Sequence, residues 1–335
     1  MKKILASLGC LAAVILAALP QRSLAQVDAH FSQYYSNPMW LNPALTGVID
    51  GDYRITANYK RQWAELSDPY STGSISFDTY PFNNLGVGGT ILNQSAGDGG
   101  WNYTNALLSA AYRVLLDASG MNALSIGIQG GIINRHVDIS KLRFGSQYNP
   151  ITGFDPGASS GETFPKTSST AFDANFGIMY FNGNPNNTLN PFAGAAVYHL
   201  SRPDDPFLGT ENERLPMRFD VHGGVRIKAS DVINITPQAL YMRQGNAHET
   251  ALGLYGQYML ESQLTDLIFG ATWRLQDAVV PYVGFHLGDF VLGVSYDVNV
   301  SKLRTASEGK GGIEFSLSFI PHKRITDPKF ICPRL

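Results

Sequence analysis

The chain has 335 residues, with 34 Gly, 18 Phe, 16 Tyr and 4 Trp, yet only 16% of its residues are charged, against ~25% in ordinary soluble domains. A formal net charge of −2 excludes a nucleic-acid binder, whose phosphate contacts need clustered Lys and Arg. The many aromatics exclude a disordered acidic chain, and beyond the N-terminus no apolar run approaches the ~20 residues of a spanning helix.

Lys2 and Lys3 precede an apolar stretch from Ile4 to Leu19, and Ser23-Leu24-Ala25 gives a small-residue cleavage site before Gln26. This pattern predicts a secretory signal peptide over 1–25. A lipoprotein reading through Cys10 fits less well, because the apolar run continues past it. Removing 1–25 leaves 22 cations against 27 acids, a net charge of −5, and one cysteine, Cys332. A single thiol makes neither an internal disulfide nor a zinc cage. Residues 26–52 hold no strand-like run. They are dense in aromatics, Asn and Pro: His30-Phe31-Ser32-Gln33-Tyr34-Tyr35, then Asn37-Pro38-Met39-Trp40-Leu41-Asn42-Pro43.

Past residue 52 the pattern has period two, the period of a strand. Ile313, Phe315, Leu317 and Phe319 alternate with Glu314, Ser316 and Ser318; Phe219, Val221, Gly223, Val225 and Ile227 alternate with Asp220, His222, Gly224, Arg226 and Lys228. The runs predict about fourteen strands: 53–63, 70–79, 84–95, 101–115, 121–139, 168–182, 190–201, 217–229, 231–244, 248–261, 265–275, 278–287, 290–298 and 311–320. Many reach the ~9–11 residues a tilted strand needs to cross a bilayer. The connections alternate as well. Even-numbered ones are short, and the odd-numbered set contains the long ones, 140–167, 202–216 and 299–310. Short periplasmic turns and long outer loops mark an outer-membrane barrel.

The expected fold is therefore all-β, an antiparallel transmembrane β-barrel of about 14 strands over 53–320, in the cell outer membrane and in contact with its lipid. A periplasmic C-terminal tail follows over 321–335. Fourteen strands lie between small filled barrels of eight and open porins of sixteen to eighteen. Such a lumen has room for a plug, supplied by the N-terminal segment 26–52, which could also lie along the periplasmic rim, and/or by outer loop 140–167 with Phe144, Tyr148, Phe154 and Phe164. Asn37-Pro38 and Asn42-Pro43 are expected to fix turns. Arg54, Lys60, Arg226 and Lys228 stand on polar faces and should point into the lumen. They would pair with carboxylates or backbone carbonyls of the plug in a closed barrel or set ion selectivity in an open one.

Motifs for chemistry are weak. Tyr198-His199, with Ser201 two residues on, suggests a Ser–His pair, but neither a nucleophile elbow nor an orienting acid accompanies it. His199 reads as a structural histidine near the outer rim. Tyr198 and His199 should face opposite sides of their strand, so only one is expected to enter the lumen. Asp155, Glu162, Asp204, Asp205, Glu211 and Glu213 lack the EF-hand pattern and read as solvated loop charge, with a divalent cation left open. The remaining histidines lack metal-ligand spacing. Gly-Asp-Gly-Gly at 97–100 reads as a hairpin connection, since no helix follows to cradle phosphate. No catalytic residue, metal or cofactor is expected.

An ordered set of segments resembles the PorP/SprF family of type IX secretion membrane proteins. It begins with His30-Phe31-Ser32-Gln33-Tyr34 and Asn42-Pro43-Ala44-Leu45-Thr46-Gly47. It continues through Tyr59-Lys60-Arg61-Gln62-Trp63, Leu142-Arg143-Phe144-Gly145-Ser146-Gln147-Tyr148 and Tyr198-His199-Leu200-Ser201-Arg202-Pro203. It closes with Ser295-Tyr296-Asp297-Val298-Asn299 and Gly311-Gly312-Ile313-Glu314-Phe315. The resemblance implies a non-enzymatic outer-membrane component that anchors or assists export and surface display of a cargo protein. It implies secretion or gliding machinery as partners on the periplasmic side and an exported cargo or adhesin outside. Phe31, Gln33, Tyr34, Asn37, Pro38, Asn42 and Pro43 are then candidates for plug or partner contact. Phe144, Tyr148, Phe154, Asp155, Glu162 and Asp204 are candidates for contact by the surface loops. The alternatives are a porin-like uptake channel for small solutes and an outer-membrane hydrolase.

Overall fold

A computed structural model describes residues 28–64, 69–82, 84–97, 100–118, 120–162, 166–204, 214–260, 265–302 and 304–321. The proposed signal peptide, the loop residues Phe164, Asp205, Glu211 and Glu213, the centre of the 97–100 connection and the tail from His322 lie outside the described residues.

The described residues form sixteen strands. In chain order the first eight are β1 (Tyr53–Gln62), β2 (Tyr70–Phe82), β3 (Leu85–Ala96), β4 (Trp101–Leu115), β5 (Asn122–Val137), β6 (Tyr148–Asn149), β7 (Gly153–Phe154) and β8 (Ser168–Asn182). They are followed by β9 (Leu189–Tyr198), β10 (Arg218–Lys228), β11 (Ile233–Gln244), β12 (Ala247–Met259), β13 (Thr265–Arg274), β14 (Ala278–Leu287), β15 (Phe290–Asn299) and β16 (Lys310–Phe319). All but β6 and β7 form one closed antiparallel barrel of fourteen strands. Each pairs with its neighbours in sequence, and β1 closes the ring on β16 with Ile55 opposite Phe319 and Gln62 opposite Gly312. β6 and β7 make a small hairpin within the 138–167 connection.

Burial alternates residue by residue. In β14, Ala278, Val280, Tyr282, Gly284 and His286 face inward, while Val279, Pro281, Val283, Phe285 and Leu287 face out. Asn234, Thr236, Gln238, Leu240, Met242 and Gln244 form the inner row of β11. The outer surface is the apolar one, with Ile75, Phe77, Leu108, Phe172, Leu254 and Phe269 all exposed. A soluble sheet would bury that face; here it meets lipid, and the polar face is enclosed. Lys228 departs from its expected place, because at the end of β10 it reaches the rim and pairs with Asp231 at 2.9 Å.

One rim carries the short connections 83–84, 116–121, 183–188, 229–232, 260–264 and 288–289; the opposite rim carries 138–167, 199–217 and 300–309. The short-turn rim is the periplasmic one. A charge placed mid-strand on the lipid face tests which face of the strand meets lipid. Leu108→Arg, at the centre of β4, should destabilise the barrel by about 2–4 kcal/mol, read as a lower urea midpoint of folding into lipid vesicles.

Candidate functional site

The described residues of the N-terminal segment run through the barrel's interior from its outer end to its periplasmic rim. Asp28 lies among His199, Arg218 and Gln244, which stand at the outer ends of their strands. Gly47 donates its N–H to Asp78 near the periplasmic end, and the Asp52 N–H donates to the Pro321 carbonyl where the segment enters β1. This N-terminal segment is the plug of the lumen.

Its path is set by two Asn-Pro steps. Extended Asn42 (φ −160°, ψ 122°) precedes Pro43 at the first position of a 3₁₀ turn, Pro43–Leu45, and accepts the Ala44 N–H on its side chain at 2.9 Å. Asn37 likewise precedes Pro38, which opens the helical turn Pro38–Leu41. Proline suits this position because its missing N–H has no partner to lose there. The plug's apolar side chains pack in two groups. Phe31 and Trp40 pack with Leu92, Tyr103, Leu107 and Ile133; Tyr34, Leu41, Ala44 and Leu45 pack with Met179, Phe181, Phe192 and Leu240.

Wall glycines seat the plug. A Cβ on Gly177 would run into the Asn42 side-chain oxygen, and one on Gly127 would run into the Pro43 carbonyl. No larger residue fits there without moving the plug.

Polar contacts bind the plug around the wall. The Ser32 and Gln33 N–H groups donate to the two Glu314 carboxylate oxygens at 2.7 and 3.0 Å. The Gln33 side chain donates to Ser295 and accepts from Ser316. The Ser32 hydroxyl donates to Asp297 and accepts from Lys60 and Arg274. Asn37 donates to Ser74 at 2.6 Å, Asn42 contacts His222 at 3.1 Å, and Gln129 donates to the Met39 carbonyl at 2.9 Å. The Tyr34 hydroxyl is buried without a hydrogen-bond partner among the described residues. Thus Phe31, Gln33, Tyr34, Asn37, Pro38, Asn42 and Pro43 are all buried in the lumen.

At the outer end, His199 bridges plug and wall. One ring nitrogen lies 2.6 Å from Asp28 and the other 3.0 Å from Asp173. Arg218 also reaches Asp28, at 3.0 Å, and lies over the Tyr198 ring. The Tyr198 hydroxyl donates to the Trp40 carbonyl at 2.9 Å. Tyr198 and His199 therefore both enter the lumen, contrary to the strand expectation. His199 has φ +59°, so the chain leaves the extended conformation there and strict alternation ends. Ser201 donates to the Phe172 carbonyl and to Asp173, so its hydroxyl is engaged by the acid rather than by an imidazole.

Burial alone would lower the His199 pKa, but the carboxylates of Asp28 and Asp173 overcome it and push it up to about 9. Burial alone would raise the Asp28 carboxyl, but His199 and Arg218 hold it well below the usual carboxylate range.

The loop candidates stand apart from this site. Tyr148 is exposed and packs its ring on Phe154, 5.3 Å between centroids, at the β6–β7 hairpin. Arg143 lies over the Phe154 ring at 5.1 Å, and Phe144 donates its N–H to Gln147. Asp155 accepts the Gly157 N–H, Glu162 is exposed, and Asp204 faces Arg214 at 3.7 Å in solvent. Among the described residues no three His, Cys, Asp or Glu side chains are grouped as a metal site would need.

A closed antiparallel barrel with an apolar outer face, a polar lumen and one long-looped rim is an integral outer-membrane β-barrel. The family described as type IX secretion system membrane protein PorP/SprF matches residues 23–319, and the chain belongs to that family. It is thus a type IX secretion membrane component of the cell outer membrane. Solved structures similar to it include the Ralstonia pickettii toluene transporter TbuX (10% identity, 88% of this chain and 96% of that one, TM-score 0.49). The CymD monoaromatic hydrocarbon channel (12%, 89% and 96%, 0.48) and the KdgM porin (7%, 80% and 99%, 0.39) are others. No curated protein matches the sequence.

Two outcomes test the site. Gly177→Ala should loosen the plug by about 1–3 kcal/mol, the usual range for overpacking, giving faster proteolysis within 28–49 while the barrel keeps its heat-modifiable gel migration. The His199 contribution is complete below its ordinary 6.5 and lost as pH rises through about 9; that of Asp28 is present above 3.8 and lost in strong acid. Amide exchange at Ala29–Phe31 should therefore accelerate across pH 9 beyond its intrinsic rise, and His199→Gln should remove that extra step.

Proposed function

We propose that this barrel is a non-enzymatic anchor, holding an exported cargo protein or adhesin at the cell surface and contacting secretion or gliding machinery from its periplasmic side. The observation that carries the reading is the filled lumen. Every candidate contact residue between Phe31 and Pro43 is spent on seating the plug, so contact from outside falls to the loops. The β6–β7 hairpin supports this, because it presents Tyr148 and a nearly fully exposed Ile151 (92%) above the barrel. Exposed apolar side chains grouped on a loop favour a protein partner.

Signal peptide 1–25, plug 26–52, barrel 53–320 and periplasmic tail 321–335 form the domain plan of this reading. A porin-like role remains the second reading, supported by the polar lumen wall.

The test is co-purification from outer membranes of the wild type and of a Tyr148→Ala, Ile151→Ala, Phe154→Ala variant. The anchor reading expects an exported surface protein with the wild type and its loss from the variant, with barrel abundance unchanged. Equal recovery by both, or no exported protein with either, would reject it.

A further inference from the structure

Plug and wall differ sharply in charge. Between Ala29 and Ile49 the plug has no Lys, Arg, Asp or Glu, and Asp28 is the one carboxylate it brings into the outer lumen. Most of the wall's buried charges instead pair with one another. Arg54 lies 2.8 Å from Asp78, Lys60 3.2 Å and Arg274 2.8 Å from Asp297, Arg218 3.2 Å from Asp220, and His286 3.2 Å from Asp266. His199 keeps Asp173 when Asp28 is set aside. Removing half of a buried ion pair is costly because the remaining charge is stranded. Withdrawing this plug would strand none of these pairs; the exception is Glu249 on β12, whose partner at 3.4 Å is His30 of the plug.

The plug also stands outside the hydrogen-bond ladder. Its backbone reaches the wall through side chains such as Gln244, Glu314 and Asp78, and the β1–β16 seam closes without it. The wall behind it has the chemistry of a wet surface. Thr56, Asn58, Ser74, Ser76, Thr236 and Gln238 face inward, and the Thr56 hydroxyl, the Asn58 amide and the Gln238 side-chain oxygen make no hydrogen bond among the described residues. Beneath the plug, in the periplasmic half, a cavity of about 90 Å³ lies between Tyr35, Leu45 and Val48 on one side and Thr236, Gln257 and His286 on the other. The plug is tethered to β1 at the periplasmic rim, so withdrawal can proceed only in that direction.

We infer that the N-terminal segment is a removable gate, and that its withdrawal toward the periplasm turns the lumen into a conduit for small hydrophilic solutes. This activity is independent of anchoring and needs no covalent step.

The test uses the full-length protein in planar bilayers with potassium chloride as the permeant probe. The lock is Asn37→Cys with Ser74→Cys in a Cys332→Ser background, replacing a plug–wall hydrogen bond between two short side chains. The loosened form is Ser32→Ala with Gln33→Ala, which removes side-chain ties and leaves the wall pairs intact. The wild type should be closed with rare conducting steps, and the loosened form should show them several-fold more often. Oxidising the lock should abolish the steps and reductant should restore them. Steps that persist through the oxidised lock would overturn the gate, as would a loosened form that folds, by heat-modifiable migration, yet conducts no more than wild type. The loop variant above separates this outcome from failure of the anchor reading.

Discussion

The structure depends on one constraint: inside the hydrocarbon layer, no water is present to satisfy a backbone N–H or carbonyl. The chain answers by closing the sheet on itself, and the β1–β16 seam is the step that removes the last free edge. Closure then fixes the side chains. With lipid outside, alternate residues must be apolar, and the other half are gathered into one enclosed space. Lys60, Asp78, Asp297 and Glu314 stand among the most deeply buried residues of the protein because they belong to that inner row. The distribution is the inverse of a soluble protein, and it explains why ordinary average hydrophobicity conceals a membrane protein.

An enclosed polar row creates the next requirement. Buried polar groups need partners, and a fourteen-stranded ring is too wide for its own side chains to meet across the centre. The wall answers part of the need with ion pairs within and between its strands. The plug answers the rest with what those pairs leave open: backbone N–H groups for Glu314, a serine hydroxyl shared by Asp297, Lys60 and Arg274, and amides for Ser74, Ser295 and Ser316. A charged plug would have competed with the wall's own pairs. An Asn-, Gln- and aromatic-rich one completes them.

This division also explains what the sequence made legible. The strands followed from periodicity, since lipid enforces alternation over ten or more residues; the run expected over 121–139 is β5, Asn122–Val137. The peculiarity of 26–52 was visible in its composition, and the size of the ring made room for it in the lumen, but nothing in the sequence chose the lumen over the periplasmic rim. Its partners were not visible. Ser32 and Asp297 are 265 positions apart, and which lumen-facing residue meets which plug residue depends on barrel register and stagger, for which a single sequence carries no signal. His199 failed for another reason. Alternation predicts only while the backbone stays extended, and at φ +59° the rule that placed Tyr198 no longer places its neighbour. The Asp173 carboxylate that orients His199 comes from the adjacent strand β8, so spacing along the chain could not have revealed it.

The plug is also the one described segment that touches both ends of the lumen. Asp28 meets side chains at the outer ends of β10 and β11, whereas Asp52 is bonded at the periplasmic rim. The strands join the same two rims, but each is fixed by ladders on both sides and cannot shift without breaking them. The plug is held by side-chain contacts that can be exchanged for water one at a time, and its tether lies on the periplasmic side. Any coupling between periplasmic machinery and the outer face that requires movement within this barrel must therefore run through the plug. The ion pairs of Asp28 and the hydrogen bonds of Ser32 set the resistance to that movement, because they lie farthest from the tether and must release before the outer end can leave.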